Sequence, residues 1–180
     1  MPVGRVHFSG FQEIERGNQK GGHGMKPYEI VKDIFIVGGP EITDSRDGCI
    51  YLLNFGELIL IDTGAGWSVE KMIHNVQSLG LDCKNLNKVL LTHCHIDHIG
   101  GVPALKKGFG PQIYIHQLDA APLENGDQVL TAATWYQTNF PPTPLDVKFS
   151  LSEEVLEIGE QKIYWVPLKI NDIYYQPIPI

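Results

Sequence analysis

One short segment concentrates side chains that bind metal ions. It reads His93-x-His95-x-Asp97-His98, so three of the chain's seven histidines and one carboxylate fall within six residues. In an extended loop, alternate residues project to the same side, so His93 and His95 can bind one cation together while Asp97 and His98 turn toward a neighbouring position. Imidazole and carboxylate groups suit Zn²⁺ first, with Fe and Mn as alternatives. The competing interpretation is a surface turn without metal, which clustered histidines disfavour because they repel one another when protonated.

The elements around this segment must position it. Short β-branched runs bounded by Gly, Pro, Asn or Asp predict strands, whereas a 3.6-residue apolar period and capping signals predict helices. Ser68 is the predicted N-cap of the first helix. The alternation of strands and helices indicates a layered α/β or α+β protein. The predicted strands are 34–37, 49–53, 58–61, 88–92, 112–115, 155–158 and 162–166, and the predicted helices are 68–79, 101–107 and 127–137.

The composition of the 180-residue chain, with 43% hydrophobic and 19% charged residues, predicts one folded domain. Fourteen Lys and Arg against 21 Asp and Glu give a net charge of -7. Binding of nucleic acid requires a basic surface that contacts the phosphates, so this charge argues against a nucleic-acid partner. An odd, widely spaced set of cysteines (Cys49, Cys83 and Cys94) fits a reducing compartment. No apolar run has the length of a signal peptide or a membrane span, so we expect a cytoplasmic protein without a membrane partner.

Two motifs make the chain resemble the metallo-β-lactamase superfamily. One is the histidine motif at 93–98, and the other is Leu60-Ile-Asp62-Thr-Gly64 at the end of an earlier predicted strand. The order of predicted elements between about residues 34 and 166 is similar to the family's order. The resemblance implies an α+β fold, a four-layer αββα sandwich that binds one or two metals at the sheet edge.

The resemblance also implies a role for each residue of the motifs. His93 and His95 would belong to a first metal site, and Asp97 and His98 to a second. Asp97 would in addition be the catalytic residue that orients the nucleophile. Asp62 would support the ligands through hydrogen bonds, as carboxylates beside metal-binding imidazoles do.

Within that family, the motif favours hydrolysis. His95 stands where the di-iron, oxygen-reducing members usually carry Glu, and the Asp97-His98 pair resembles the glyoxalase II-like thioesterases and the lactonases. The resemblance therefore implies a metal-dependent hydrolase in which a metal-bound hydroxide attacks an ester, thioester or lactone of a small molecule. The family's nucleases are an alternative that the negative charge disfavours.

The end of the chain departs from the family pattern. A third first-site histidine usually follows the strand pair that ends here near Val166, yet residues 167–180 contain no histidine. His116, just past a predicted strand, is the alternative ligand, against the interpretation of a surface histidine at a strand end. We therefore predict a flexible tail at 1–24, a metallo-β-lactamase-like domain at 25–166 that is incomplete at its C-terminus, and an atypical segment at 167–180.

This departure leaves a second hypothesis open, a catalytically inactive remnant that binds metal weakly and acts by association. Two secure ligands for the first metal are fewer than the three that a catalytic zinc normally has. Uncovered apolar sheet surface would also favour a homo-oligomer. The amount of metal that the purified chain retains distinguishes the enzyme from the remnant.

Overall fold

The computed structural model describes residues 24–150 and 154–165. Except for Gly24, the predicted N-terminal tail lies outside the described residues, as does the segment at 167–180. Within the described part, a mixed β-sheet carries helices on one face and a small two-stranded sheet on the other. This arrangement of sheet and helices confirms the predicted α+β class.

Seven strands form the large sheet, and they lie side by side in the order in which they occur in the chain. The first four pair antiparallel, and each later strand joins in parallel to the strand before it. The strands of this sheet are β1 Tyr28–Val31, β2 Ile34–Gly38, β3 Ile50–Asn54, β4 Leu58–Ile61, β5 Leu86–Leu90, β6 Gln112–His116 and β7 Val147–Phe149. The small antiparallel sheet consists of β8 Glu154–Ile158 and β9 Gln161–Trp165.

Helices lie in the connections between the parallel strands, because parallel neighbours cannot be joined by a tight hairpin turn. They are α1 Val69–Ser78, α2 Ile96–Ile99, α3 Val102–Phe109 and α4 Gln117–Asn125, with a short 3-10 helix at Cys83–Asn85. Within residues 24–150 and 154–165, no helix has the length and apolar character needed to cross a membrane.

Both faces of the sheet are covered by apolar side chains, which fixes the strand ends that carry the site. On the helical face, Leu60 of β4 belongs to one buried cluster with Met72 of α1 and Leu105 of α3. On the opposite face, Leu90 of β5 belongs to a second cluster with Ile158 of β8. Full burial of one such side chain contributes about 1.5–3 kcal/mol.

The structure confirms each predicted strand to within two residues, and it does the same for the helices predicted at 68–79 and 101–107. The apolar period and the bounding turn residues were therefore sufficient to find these elements. Two strands, β1 and β7, were not predicted, because their runs are short and largely exposed or half-buried.

The helix predicted at 127–137 is wrong, because these residues form successive turns. Ala132 and Gln137 have φ of +58° and +52°, which an α-helix cannot contain, and Val129 is 72% exposed. The helix in this region is α4, which lies one element earlier and contains Pro122. Proline inside a helix removes a hydrogen bond, so the sequence pattern there does not read as helical.

Candidate metal centre

The histidine motif lies where two neighbouring parallel strands end. Because β4 and β5 pair in parallel, with Ile61 opposite Leu90, the residues that follow them meet at one edge of the sheet. The backbone N–H of Asp62 donates to the carbonyl of Leu90 at 3.0 Å. After β5, a short loop leads into α2, for which His95 is the N-cap residue. The motif is therefore held partly in a loop and partly in the first turn of a helix.

The three imidazole rings of the motif lie against one another. The ring centre of His93 is 4.1 Å from that of His98 and 4.8 Å from that of His95. One potential ligand atom each from His93, Asp97 and His98 lie within 4.8 Å of one another. The structure thus brings the four motif residues together, and the tightest grouping joins His93 to Asp97 and His98, with His95 beside His93. Two imidazoles and a carboxylate at such separations fit a divalent cation of the zinc type.

One buried carboxylate, Asp62, contacts both sides of this group. Its Oδ2 lies 2.7 Å from Nδ1 of His98 and accepts a hydrogen bond from Oγ1 of Thr92 at 2.7 Å. Its Oδ1 accepts from the backbone N–H of Thr92 at 2.8 Å. The φ of Asp62 is +60°, a left-handed conformation that persists in a non-glycine residue where surrounding contacts hold it. Asp62 therefore stands where the sequence predicted a supporting carboxylate.

The charges of the group follow from its contacts. Burial alone would lower the pKa of His98, but hydrogen bonds to the carboxylates of Asp62 and Asp97 outweigh it and raise the pKa to about 10. Burial and the neighbouring His98 and His95 rings lower the pKa of His93. Burial would raise the pKa of Asp97, yet its hydrogen bond and charge interaction with His98 lower it on balance. A cation binding to His98 therefore competes with a proton for the ring.

Glycines allow the loops around α2 to pack backbone against backbone. A Cβ on Gly100 would come within 2.3 Å of the carbonyl oxygen of Ala65, and one on Gly66 within 2.6 Å of the carbonyl oxygen of Gly100. Beside this contact, the N–H and the hydroxyl of Thr63 both donate to the carbonyl of His98, at 2.7 and 2.8 Å. The turn after β4 is therefore fastened directly to the helix that carries Asp97 and His98.

A second buried carboxylate, Asp47, ties the loop before β3 to the same turn. Its Oδ1 accepts from the N–H of Ala65 at 2.8 Å, and its Oδ2 accepts from the hydroxyls of Thr43, at 2.5 Å, and Ser68. Ser68 is the N-cap residue of α1, as predicted, but its hydroxyl binds Asp47 and makes no side-chain capping bond to the helix. Gly48, the next residue, donates its N–H to the carbonyl of Asp97 at 2.9 Å.

An aromatic pair lies near the motif. The rings of Trp67 and Tyr136 stack with centres 6.3 Å apart, and the guanidinium carbon of Arg46 is 4.0 Å from the Trp67 ring centre. Burial and the carboxylates of Asp97 and Asp47 raise the pKa of Tyr136. Since Trp67 is 40% exposed, this pair offers a partly apolar rim.

His116 and Cys94 have roles in the packing around the motif. His116 ends β6 and is 6% exposed, which contradicts the interpretation of a surface residue. Its Nδ1 accepts from the N–H of Leu118 at 3.3 Å and so caps α4, and it is not part of the group formed by His93, Asp97 and His98. Cys94 is buried, its thiol faces the carbonyl of Leu130 at 3.7 Å, and burial raises its pKa.

Sequence reasoning missed Thr92 and Gly48, which contact the motif, and Asp47, which is bonded to the turn after β4. Thr92 stands at the end of a predicted strand directly before His93, a position that could have drawn attention to it. The dipeptide Asp47-Gly48 carries only the signal of a turn. Gly48 contacts residues about fifty positions away, and Asp47 bonds to residues 18 and 21 positions away, so no local pattern reveals these contacts.

The family model of the metallo-beta-lactamase superfamily matches residues 48–169, more than half of the chain. The chain belongs to this superfamily. The matched residues contain both the histidine motif and the turn with Asp62, so the family assigned by resemblance is confirmed on the same residues that suggested it.

Two curated proteins are similar to parts of the chain. Ribonuclease Z of Clostridium novyi is 29% identical over 129 residues, which cover 67% of this chain and 40% of that protein. Hydroxyacylglutathione hydrolase GloC of Haemophilus influenzae is 40% identical over 55 residues, covering 31% of this chain and 24% of that protein.

The fold is similar to that of a solved superfamily member, the FEZ-1 metallo-beta-lactamase from Legionella gormanii. The TM-score is 0.67 at 21% identity, and the match covers 77% of this chain and 51% of that one. This likeness confirms the predicted fold. The chain spans about half or less of the length of the relatives it matches.

Proposed function

We propose that this superfamily member is a metal-dependent hydrolase that acts on an ester, thioester or lactone of a small molecule. The observation that carries the proposal is the grouping of ligand atoms from His93, Asp97 and His98 within 4.8 Å of one another. Catalytic zinc sites typically use three side chains of these types and keep one position open for water or substrate. We therefore propose Zn²⁺, as one or two ions, with Fe and Mn as the identities to test against it.

Each residue of the motif has a proposed role around that metal. When bound, the metal would lower the pKa of a coordinated water to about 7 and polarise the carbonyl of the substrate. Because Nδ1 of His98 faces Asp62, its other ring nitrogen is the one available as a ligand. Asp97, with its lowered pKa, is a carboxylate at neutral pH that can bind the metal and accept a hydrogen bond from the attacking water. His95, beside His93, is the fourth proposed ligand.

The choice of substrate class rests on charge, on the rim and on the relatives. A net charge of -7 is unfavourable for a polyanion, and the rim formed by Trp67 and Tyr136 suits an apolar part of a small substrate. The match to a hydroxyacylglutathione hydrolase supports a carboxylic ester or thioester. The match to a ribonuclease Z favours a phosphodiester as the second candidate.

Metal content and hydrolysis of the full chain test the proposal together. The purified protein is analysed for Zn, Fe and Mn, and assayed with a chromogenic thioester, a lactone and bis-p-nitrophenyl phosphate. Asp97→Asn removes a ligand charge, whereas His74→Ala removes an exposed histidine of α1 as a matched control. A cation that binds only the folded state adds about 2.7 kcal/mol of stability at a hundredfold excess over its Kd, so zinc should raise the Tm of the chain and of His74→Ala.

The proposal is supported if thioester or lactone turnover is lost in Asp97→Asn and retained in His74→Ala. Turnover of the phosphodiester alone would contradict the proposed substrate class. Metal retention near zero, with no turnover of any substrate, would favour the inactive remnant that acts by association. Size-exclusion chromatography of the same sample tests whether the chain forms the expected homo-oligomer.

A further inference from the structure

Thr92 bridges the buried carboxylate of Asp62 and the first histidine of the motif. Its Oγ1 lies 2.7 Å from Oδ2 of Asp62 and 3.0 Å from Nδ1 of His93. Its backbone N–H donates to the other carboxylate oxygen of Asp62 at 2.8 Å. The two hydrogen bonds to Asp62 hold both the backbone and the hydroxyl of Thr92 in position beside the His93 ring.

The number of protons decides the direction of these hydrogen bonds. A hydroxyl has one proton to donate, and a carboxylate can only accept. The proton of the Thr92 hydroxyl therefore goes to Asp62, and the hydroxyl oxygen is left to accept from Nδ1 of His93. The neutral imidazole has one N–H, so a proton at Nδ1 leaves the lone pair at Nε2.

The same carboxylate acts on the second histidine without an intermediary. Oδ2 of Asp62 is 2.7 Å from Nδ1 of His98, which must donate to it for the same reason. Asp62 thus sets the orientation of two rings whose centres are 4.1 Å apart, His98 directly and His93 through the hydroxyl of Thr92.

We propose that Thr92 is a positioning residue, which fixes His93 as the Nδ1–H tautomer and so presents its Nε2 to the cation held with Asp97 and His98. The part of this inference that concerns the cation rests on the proposed function. The tautomer of His93 follows from the hydrogen bonds alone. The side chain of Thr92 is exposed, so removing its hydroxyl leaves no cavity in the core. Partners of this kind typically contribute 10- to 100-fold to metal affinity.

Two measurements on the full-length chain test the role of Thr92. In zinc-free protein labelled with ¹⁵N-histidine, the nitrogen shifts of His93 report its tautomer above the ordinary histidine titration range. Competition with a chromophoric chelator then gives the Kd for Zn²⁺. Thr92→Val removes the hydroxyl and keeps the shape, Thr92→Ser keeps the hydroxyl, and Thr134→Val is the matched control at an exposed threonine outside the motif. Thr92→Ala replaces the valine variant if the amide spectrum of the latter is not that of a folded chain.

We expect the Nδ1–H signature in the parent chain, in Thr92→Ser and in Thr134→Val. In Thr92→Val the proton should redistribute between the two nitrogens, and the Kd should rise by about 10- to 100-fold. An unchanged tautomer in Thr92→Val, or an equal loss in Thr92→Ser, would overturn the inference. If the parent chain binds no zinc while the tautomer shift appears, the proposed function is contradicted and the control of His93 by Thr92 is supported.

Discussion

Gly48 lies against the imidazole ring of His98. A Cβ on Gly48 would come within 2.7 Å of Cε1 and 2.9 Å of Nε2 of that ring. The backbone N–H of Gly48 is meanwhile bonded to the carbonyl of Asp97 at 2.9 Å, so the glycine cannot move away freely. The loop before β3 therefore packs directly against the proposed ligand His98.

Gly48→Ala should weaken metal binding because the added methyl group must displace the His98 ring. The displacement separates His98 from Asp62, and we expect the Kd for Zn²⁺ to rise by at least about tenfold, as for other losses of ligand support. Isothermal titration of the metal-free chain measures this change.

Gly56→Ala is the comparison for Gly48→Ala, since its Cβ would meet nothing within 4 Å. The φ of Gly56 is +87°, so alanine there should lower the free energy of unfolding by about 1 kcal/mol while leaving zinc affinity unchanged. Equal zinc affinity in Gly48→Ala and the parent chain would mean that His98 can shift without loss of ligand geometry.

Asp62→Asn should lower zinc affinity about 10- to 100-fold with little change in backbone conformation. Asparagine tolerates the left-handed region, so the φ of +60° is retained. An amide has one acceptor oxygen, and it cannot serve Thr92 and His98 as the carboxylate does. Asp33→Asn is the matched control, because Asp33 also has a positive φ, +63°, and lies in the turn between β1 and β2. A similar affinity loss in both variants would argue against an orienting role for Asp62.

Asp47→Asn should destabilise the fold by about 1–3 kcal/mol, the cost of leaving a buried hydrogen-bonding group unsatisfied. The carboxylate accepts three hydrogen bonds at 3% exposure, and an amide would turn a donor toward one of the present donors. Glu70→Gln, at an exposed position in the first turn of α1, should change stability by less than about 0.5 kcal/mol. Urea denaturation of the two variants measures the difference, and equal midpoints would contradict a structural role for Asp47.

The sequence predicted which residues gather at the candidate metal centre better than it predicted the contacts around them. The motif at 93–98 and the turn with Asp62 are local patterns, and their residue types indicate metal binding. The structure brings them together at the ends of β4 and β5. The Asp47 contacts and the approach of Gly48 to His98 depend on loops that meet only after folding. A single sequence carries no periodicity that would reveal such contacts.

The incorrect helix at 127–137 has a similar cause. Its apolar and small residues fit a helix, but tertiary contacts such as the hydrogen bond from the N–H of Ile96 to the carbonyl of Thr131, at 2.8 Å, hold the chain in turns. Ile96 is the first residue of α2, so these turns contact the helix that carries Asp97 and His98. Tertiary contacts have therefore overridden the local helix propensity of residues 127–137.

Asp146 should make stability depend on pH in the acidic range. Burial would raise its pKa, but the hydrogen bond from Lys106 and the N–H of Ile113 lower it below the ordinary value of 3.8. A lowered folded-state pKa stabilises the fold above about pH 4, and the stabilisation is lost as the pH falls through the folded-state value. Asp146→Asn should therefore be less stable than the parent at neutral pH. The difference should be at most about 1 kcal/mol because the side chain is partly exposed. This difference in stability should disappear below about pH 4. A difference in Tm between the variant and the parent that stays constant with pH would exclude the Lys106–Asp146 ion pair as its source.

The large sheet never inserts a later strand between two earlier ones, because its spatial order is the order of the chain. Each strand can therefore add to the edge left by its predecessor. The antiparallel neighbours β1 to β4 pair over short connections, whereas parallel pairs such as Leu58 with Leu86 and Tyr114 with Val147 are far apart in sequence, so we expect the antiparallel part to form first. Pairing of β4 with β5 requires neither β6 nor β7, so we expect the ends of these two strands, which flank the His93–His98 loop, to meet before β7 joins the sheet. Pulse-labelled hydrogen exchange should find the amides of β3, β4 and β5 protected before those of β7, and the reverse order would contradict growth from the N-terminal side.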